Sequence, residues 1–144
     1  MVPDALEPLA TTPAEISELL GRFRVALSDA QVLAQSVDGR YVDAYTAGFL
    51  LAKLVIRASG MRVRGGENHL DTIRAVPWLL GSGSQSPVDA LEAARKRRNA
   101  AMYDAAGLVE ESDVFGLIKR VKEFETLVLA WLAEQHPDLM LHMD

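Results

Sequence analysis

Apolar residues near the start of this chain recur at alternating spacings of four and three, which places them on one face of an α-helix. The stripe consists of Ile16, Leu20, Phe23, Leu27, Ala30 and Ala34. Before it stand Thr12 as an N-cap, Pro13 in the first turn and Glu15 as a capping-box acid. We predict that the first helix begins at these residues and packs its apolar face on a core.

The next segment, residues 39–59, carries apolar residues on nearly every face. Only Asp43, Lys53 and Arg57 interrupt it, and we place these three near a polar edge. Such a pattern predicts a central, mostly buried second helix. Its small residues allow a neighbouring helix to approach closely, and they are Ala44, Ala47, Gly48 and Ala52.

Glycines then break the chain before a short third helix over 69–81, which Pro77 kinks or ends. A flexible connector rich in glycine and serine follows. Ser86 and Pro87 restart the chain as the N-cap and first residue of a fourth helix, which covers roughly 87–105.

Ser112 is predicted to cap the last long helix, and His136 and Pro137 to end it. Its apolar stripe is Val114, Leu117, Ile118, Val121, Phe124, Val128, Trp131 and Leu132. No internal repeat is present. We therefore predict an all-α fold, a mostly antiparallel bundle of four to five helices.

The helices form one domain that spans residues 1–144, with a core over about 13–135. The N-terminal segment 1–11 and the C-terminal segment 137–144 are expected to be tails, the latter frayed or loosely docked.

Composition narrows the kinds of site that the chain can carry. It is 49% hydrophobic and 6% aromatic, and it contains no cysteine, which excludes disulfides and thiolate metal sites. We predict no metal and no cofactor. The N-terminus lacks the basic start and apolar run of a signal peptide, and no segment reaches about 18 uninterrupted apolar residues. We expect a soluble cytoplasmic protein without a membrane segment.

Charge is distributed unevenly along the chain. The net charge is −5, which argues against non-specific nucleic-acid binding by the whole surface. Residues 57–98, however, hold eight Lys or Arg against four acids, a local net charge of +4, so that the remainder carries −9. This basic middle is either an anion-facing surface or a set of solvated helix faces.

Two arginines lie on the apolar line of the fourth helix. The positions three or four residues apart on this line are Val88, Leu91, Arg95, Arg98 and Met102. A guanidinium group cannot discard its charge, and leaving it buried without partners costs several kcal/mol. Asn99 and Tyr103 add an amide and a phenol on the same side. The partner of these groups is an acid of another helix, an acidic subunit or a phosphate.

Acids are available within the chain, because Glu123 and Glu125 lie on the last helix. Arginine stems in bundles often cover apolar surface and pair with carboxylates at the rim. Spacing alone therefore leaves a structural role and a ligand site open.

The stretch "RKRRNAAMYD", residues 95–104, resembles the HEPN superfamily of helical domains found in bacterial toxin and defence systems. The alanine-rich second helix and the glycine turn before a short helix near His69 share in this resemblance, which covers roughly 14–134. It implies a four-helix bundle, usually a homodimer, whose active members are metal-independent RNases.

The motif of those members is an arginine, commonly a polar residue after it, and a histidine after four to six positions. Arg98 matches the arginine, Asn99 matches the polar residue, and Tyr103 occupies the histidine position. The resemblance thus implies Arg98, Asn99 and Tyr103 as catalytic residues. Arg95, Arg97 and Arg98 are the predicted phosphate- or RNA-binding residues.

The tyrosine is a departure that affects the chemistry. Attack of a ribose 2′-hydroxyl on the adjacent phosphate needs a base, an acid and positive charge on the developing phosphorane. Arginine supplies only the charge, and a tyrosine of pKa about 10 is a poor base, although Tyr103 can donate a proton or orient the phosphate. His69 can approach from the third helix, or it is a cap or surface residue.

Three functions remain open at this point. The first is an RNA-directed HEPN protein, an RNase or a degenerate relative, possessing paired sites in a homodimer and acting as a toxin of a toxin-antitoxin or defence system. The second is a non-catalytic dimeric binding module that engages a nucleotide or a nucleotidyltransferase antitoxin, with Tyr103 as a conceivable modification target. The third is a helical bundle whose arginines pair with its own acids.

Overall fold

The computed structural model describes residues 4–103 and 109–140, with only the backbone for 100–103. The predicted all-α bundle is confirmed. In the described part of the chain, the helices are α1 (Pro13–Ala30), α2 (Val37–Ala58), α3 (His69–Leu80), α4 (Gln85–Tyr103) and α5 (Glu111–Gln135). Two short strands accompany them, β1 (Leu6–Pro8) and β2 (Met61–Val63). Turns of 3₁₀-helix cover Ser82–Ser84 and Pro137–Met140.

The first helix begins where the sequence predicts. The Thr12 side chain accepts a hydrogen bond from the Glu15 backbone N–H at 3.1 Å. Most of the predicted stripe is buried, and Leu27 is half-buried. Placing Ala34 on that stripe was wrong, because α1 ends at Ala30 and Ala34 is exposed beyond it.

The second helix forms the centre of the bundle, as predicted, and packs against α1, α3, α4 and α5. It begins at Val37, after Ser36 accepts a hydrogen bond from the Gly39 backbone N–H. Arg57 was wrongly placed on a polar edge, since its side chain is buried. Helix α2 therefore contacts neighbours on all its faces near its C-terminal end.

Gly48 lets α4 approach α2 closely. A Cβ atom at this position would lie 2.3 Å from Cδ2 of Leu91, a side chain that is itself buried in the core. The small residues of α2 therefore have the packing role predicted for them, because this contact leaves no room for a methyl group.

Replacing Gly48 with alanine is expected to lower the free energy of unfolding by about 1–3 kcal/mol, because the core must shift to admit a methyl group. Urea denaturation followed by circular dichroism measures the effect. Gly21→Ala in α1 is the matched control, because its Cβ would meet nothing within 4 Å. That variant should gain about 0.5–1 kcal/mol from helix propensity. Equal effects of the two substitutions would contradict the packing account.

The start of α4 differs from the prediction. Helix α4 begins at Gln85, so Ser86 and Pro87 are its second and third residues rather than its N-cap and first residue. The predicted flexible connector contains the 3₁₀ turn Ser82–Ser84, which leads directly into α4. Proline is tolerated there because backbone N–H groups in the first helical turn have no intrahelical acceptor. Residues 104–105, the predicted end of α4, lie outside the described residues.

Pro77 does not end α3, which continues to Leu80.

Ser112 is not the cap of α5. Glu110 is the N-cap, and its side chain and that of Asp113 form a reciprocal capping box. A carboxylate pair that flanks the predicted cap in the sequence thus satisfies backbone N–H groups at the start of α5. The predicted stripe of α5 is buried apart from half-buried Trp131, and His136 ends the helix as predicted.

Parts of both predicted tails pack on the bundle. In the N-terminal segment, β1 pairs antiparallel with β2, and Leu6 is buried against Ile56 and Ala75. The expectation of a frayed tail was wrong for residues 137–140, because Leu139 is buried in the core next to α1 and α5. Residues 1–3 and 141–144 lie outside the described residues. None of the described helices combines the length and apolar character needed to cross a membrane.

Two buried arginines of α2 join segments that are distant in the sequence. Arg57 donates to Glu15 Oε2 at 2.5 Å and to the backbone carbonyls of Leu9, Ala10 and Met61 at 2.6–3.0 Å. Arg40 donates to the Ala30 carbonyl at 2.9 Å and to Glu111 Oε1 at 3.2 Å. Burying a guanidinium group is tolerated when its hydrogen bonds and charge are met in this way. Both arginines therefore have structural roles.

Candidate functional site

Arg95 and Arg98 on α4 are half-buried, and their surroundings differ from those of Arg40 and Arg57. The Nε atoms of both side chains are buried and have no hydrogen-bond partner among the described residues. Neither arginine forms an ion pair with a described carboxylate. The acids considered on the last helix do not reach them: Glu123 pairs with Arg120 at 3.1 Å. The two arginines are thus cations without a protein counter-ion in the described part.

Aromatic and amide groups surround Arg98. Its guanidinium carbon lies 5.4 Å from the ring centroid of Tyr45 on α2, a cation–π distance. Its Nη1 donates a hydrogen bond of 3.2 Å to Oδ1 of Asn99. Arg98 and Asn99 therefore lie together, as the sequence predicts, and Tyr45 adds a contact from a different helix.

His69 joins this cluster from α3, of which it is the first residue. Its ring stacks on Phe49 with centroids 3.9 Å apart and planes inclined by 13°. Its Nδ1 lies 2.8 Å from the hydroxyl oxygen of Tyr45, within hydrogen-bond distance. The side chain is half-buried, and Phe49 and Tyr45 determine its orientation. The alternative of a histidine that is only a helix cap does not apply, because Asn68 is the N-cap of α3.

The surroundings of His69 favour its neutral form. Burial lowers its pKa from the ordinary value of 6.5, and the positive charges of Arg98 and Arg95 lower the pKa further, whereas Glu67 opposes them. Burial also raises the pKa of Tyr45 to about 12, against the opposing effect of the two arginines. At neutral pH, the free protein therefore holds an uncharged imidazole and an intact phenol beside two guanidinium groups.

The remaining predicted site residues lie as follows. Arg97 is engaged by α5, where its Nη1 and Nη2 donate to Asp113 at 2.9 and 3.1 Å, and its guanidinium carbon lies 5.8 Å from the ring centroid of Tyr41. Tyr103 is the last residue of α4, and its side chain lies outside the described residues. The structure thus brings Arg95, Arg98, Asn99 and His69 together and directs Arg97 to a different neighbour.

Tyr45 and Phe49 are the site residues that sequence reasoning missed. They lie four residues apart on α2 and are both buried, so in the sequence they resemble ordinary core positions. One signal was present, since aromatic residues make up only 6% of the chain and two of them are spaced by one helical turn. No group of three His, Asp or Glu is placed to hold a metal ion among the residues that the structure describes.

Comparison of the chain with protein-family models, curated proteins and solved structures found no match. Its class is therefore defined by its own fold and site. It is an all-α bundle in which two arginines of α4 have no counter-ion among the described residues. These arginines lie next to the half-buried His69 of α3 and to Tyr45 of α2.

Proposed function

We propose that this chain is an RNA-directed helical protein of the HEPN type that cleaves RNA without a metal ion. The observation that carries this proposal is the position of Arg95 and Arg98, whose Nε atoms lack hydrogen-bond partners in the described part, beside the ionisable imidazole of His69. Arg40 and Arg57 show that this fold can satisfy a buried guanidinium group with its own acids and carbonyls. Leaving the buried Nε atoms of two other arginines without partners costs stability, which an anionic ligand would offset.

A phosphodiester fits this pair of arginines. Guanidinium groups present several N–H donors in a planar fork that matches phosphate oxygens, and charge-assisted hydrogen bonds of this kind are stronger than neutral ones. Asn99 holds Arg98 through its side-chain oxygen, so it positions the group that contacts phosphate. The site therefore binds phosphate by direct ionic contacts.

The reaction proposed is attack of the ribose 2′-oxygen on the adjacent phosphorus. The bond from phosphorus to the 5′-oxygen breaks as the new bond forms, and a 2′,3′-cyclic phosphate results. The proton of the 2′-hydroxyl passes to solvent, and the 5′-oxygen takes a proton from the imidazolium form of His69. Arg95 and Arg98 stabilise the negative charge that develops on the phosphorane.

His69 supplies the imidazole that α4 lacks at Tyr103. A bound phosphate places a negative charge beside the ring, which favours the imidazolium form and opposes the arginines. Proton donation by a positioned histidine contributes roughly 10²–10⁴-fold to such reactions. The roles predicted for Tyr103 and Arg97, and the homodimer implied by the HEPN resemblance, remain part of this proposal.

The proposal is tested by incubating the purified protein with an end-labelled RNA in the presence of EDTA. We expect discrete fragments that end in a 2′,3′-cyclic phosphate, identified by mass spectrometry. A DNA oligonucleotide of the same sequence lacks the 2′-hydroxyl and should remain intact, and a mock preparation controls for contaminating RNases. Absence of cleavage, or equal cleavage of the DNA, would reject the RNase proposal. Binding of RNA without cleavage would favour the non-catalytic binding module.

A further inference from the structure

The Tyr45 hydroxyl has one hydrogen-bond partner in the part of the chain that the structure describes, and this partner is Nδ1 of His69. Tyr45 is fully buried, so its hydroxyl hydrogen needs an acceptor within the protein. Arg98 lies over the Tyr45 ring but cannot accept a hydrogen bond, because a guanidinium group has only donors. The hydroxyl therefore donates to the lone pair of Nδ1 when the imidazole is neutral.

Donation to Nδ1 determines where the ring carries its hydrogen. A neutral imidazole has one N–H and one lone pair, so a lone pair on Nδ1 puts the hydrogen on Nε2. In the imidazolium form both nitrogens carry hydrogen, so the Tyr45 hydroxyl turns and its oxygen accepts from Nδ1–H, at the cost of the acceptor for its own hydrogen. Nε2 thus bears a hydrogen in both forms of His69.

On the basis of the proposed function, we infer that Tyr45 is a positioning residue that keeps a hydrogen on Nε2 of His69. His69 consequently donates hydrogen bonds and protons to the RNA phosphate, and it does not act as the base for the 2′-hydroxyl. The base would need a lone pair on Nε2, which the contact with Tyr45 removes. Stacking on Phe49 holds the plane of the ring and so the direction of this donor.

The proton transfer balances in this arrangement. The imidazolium gives its Nε2 proton to the 5′-oxygen as the bond to phosphorus breaks. The transfer leaves a neutral ring whose hydrogen is on Nδ1. Solvent then protonates Nε2, which restores the imidazolium, and loss of the Nδ1 proton to solvent gives the neutral Nε2–H ring that the contact with Tyr45 favours. Among the residues that the structure describes, the charged groups that act on His69 are Arg95 and Arg98 on α4 and Glu67 before α3. Glu67 also pairs with Lys53 of α2 at 2.9 Å.

The pH dependence follows from this role. An acid must be protonated to act, so kcat/KM for RNA cleavage should fall as pH rises through the pKa of His69. Burial and the arginines place that pKa in the free protein below 6.5. A base at the same position would give the opposite slope, with kcat/KM rising with pH.

Tyr45→Phe tests the inference, because it removes the hydroxyl and keeps the buried ring. We expect kcat to fall by about tenfold to a hundredfold, because the partner that sets the tautomer of His69 is lost, and KM for RNA to stay unchanged. Tyr41→Phe is the matched control. Tyr41 is also buried and lies one turn earlier on α2, but it contacts Arg97 and not His69. Equal losses in both variants, or a rise in KM alone, would overturn the positioning role.

A second measurement does not depend on RNA cleavage. The ¹⁵N shifts of the His69 ring in the RNA-free protein, assigned with His69→Gln, should report a protonated Nε2 and a hydrogen-bonded Nδ1 without hydrogen. In Tyr45→Phe the Nδ1 shift should move toward that of an imidazole nitrogen without a donor. A predominant Nδ1–H form in the wild type would overturn the inference. If the wild type cleaves no RNA but these shifts are found, the proposed function fails and the positioning of His69 by Tyr45 is supported.

Discussion

Replacing Arg98 with alanine is expected to lower the rate of RNA cleavage at least about a hundredfold, since loss of one preorganised donor to a transition-state anion typically costs 10²–10³ in kcat. The cleavage rate of Arg98→Lys should lie between those of the wild type and Arg98→Ala, because lysine keeps the charge but lacks the planar fork of donors. The measurement is initial-rate cleavage of a labelled RNA in EDTA. The control is Arg24→Ala, which removes a positive charge from an exposed position on α1.

The free energy of unfolding of Arg98→Ala distinguishes a role of Arg98 in catalysis from a structural role. Removal of Arg98 should change the free energy of unfolding by no more than about 1 kcal/mol, because the lost contact with Tyr45 is offset by the removal of a half-buried charge whose Nε has no partner among the described residues. Full activity of Arg98→Ala would refute the RNase proposal. Arg97→Ala, measured in the same series, tests the prediction that Arg97 also binds phosphate. Its pairing with Asp113 leads us to expect a smaller loss than for Arg98→Ala.

Replacing Arg57 with alanine is expected to produce the largest loss of stability, about 3–5 kcal/mol, as for other partners removed from buried ionic networks. The substitution leaves the Glu15 carboxylate without its cation and three backbone carbonyls without their donor. These groups join β1 and the start of α1 to the end of α2. Urea denaturation at neutral pH measures the change.

The control for Arg57 is Arg120→Ala on α5. Arg120 forms an exposed pair with Glu123 one turn away, and such pairs contribute at most about 1 kcal/mol. Arg57→Lys tests the geometry, because a lysine keeps the charge but cannot reach all the acceptors that the guanidinium group contacts. A loss for Arg57→Ala no greater than that for Arg120→Ala would show that the buried network does not stabilise the fold.

The helices could be predicted because each has a long apolar stripe with helical spacing. Errors occurred at helix ends, where several residues compete as caps. Ser112 is a good capping residue by type, but Glu110 and Asp113 can form a reciprocal pair of hydrogen bonds, which decides where α5 begins. The strand pair β1–β2 was missed because three-residue strands are too short to show an alternating pattern.

The arginine part of the candidate site followed from spacing within a single helix. Arg95, Arg98 and Asn99 lie on neighbouring positions of α4, so their proximity is a property of helical geometry. The partners from α2 and α3 could not be predicted in this way. Tyr45 and His69 are 24 residues apart and come within 2.8 Å only because α3 packs against α2.

The sequence by itself determined the all-α class, the central position of α2 and the two arginines on the apolar line of α4. These properties depend on local periodicity and on residue type, which act within one helix. Tertiary structure alone decided which buried arginines are satisfied. Arg40 and Arg57 contact acids and carbonyls of distant segments. Arg98 lies instead over the ring of Tyr45, and the charges of Arg95 and Arg98 act on His69. The physical reason is that the free energy of a buried charge depends on which groups the packing of other helices places around it.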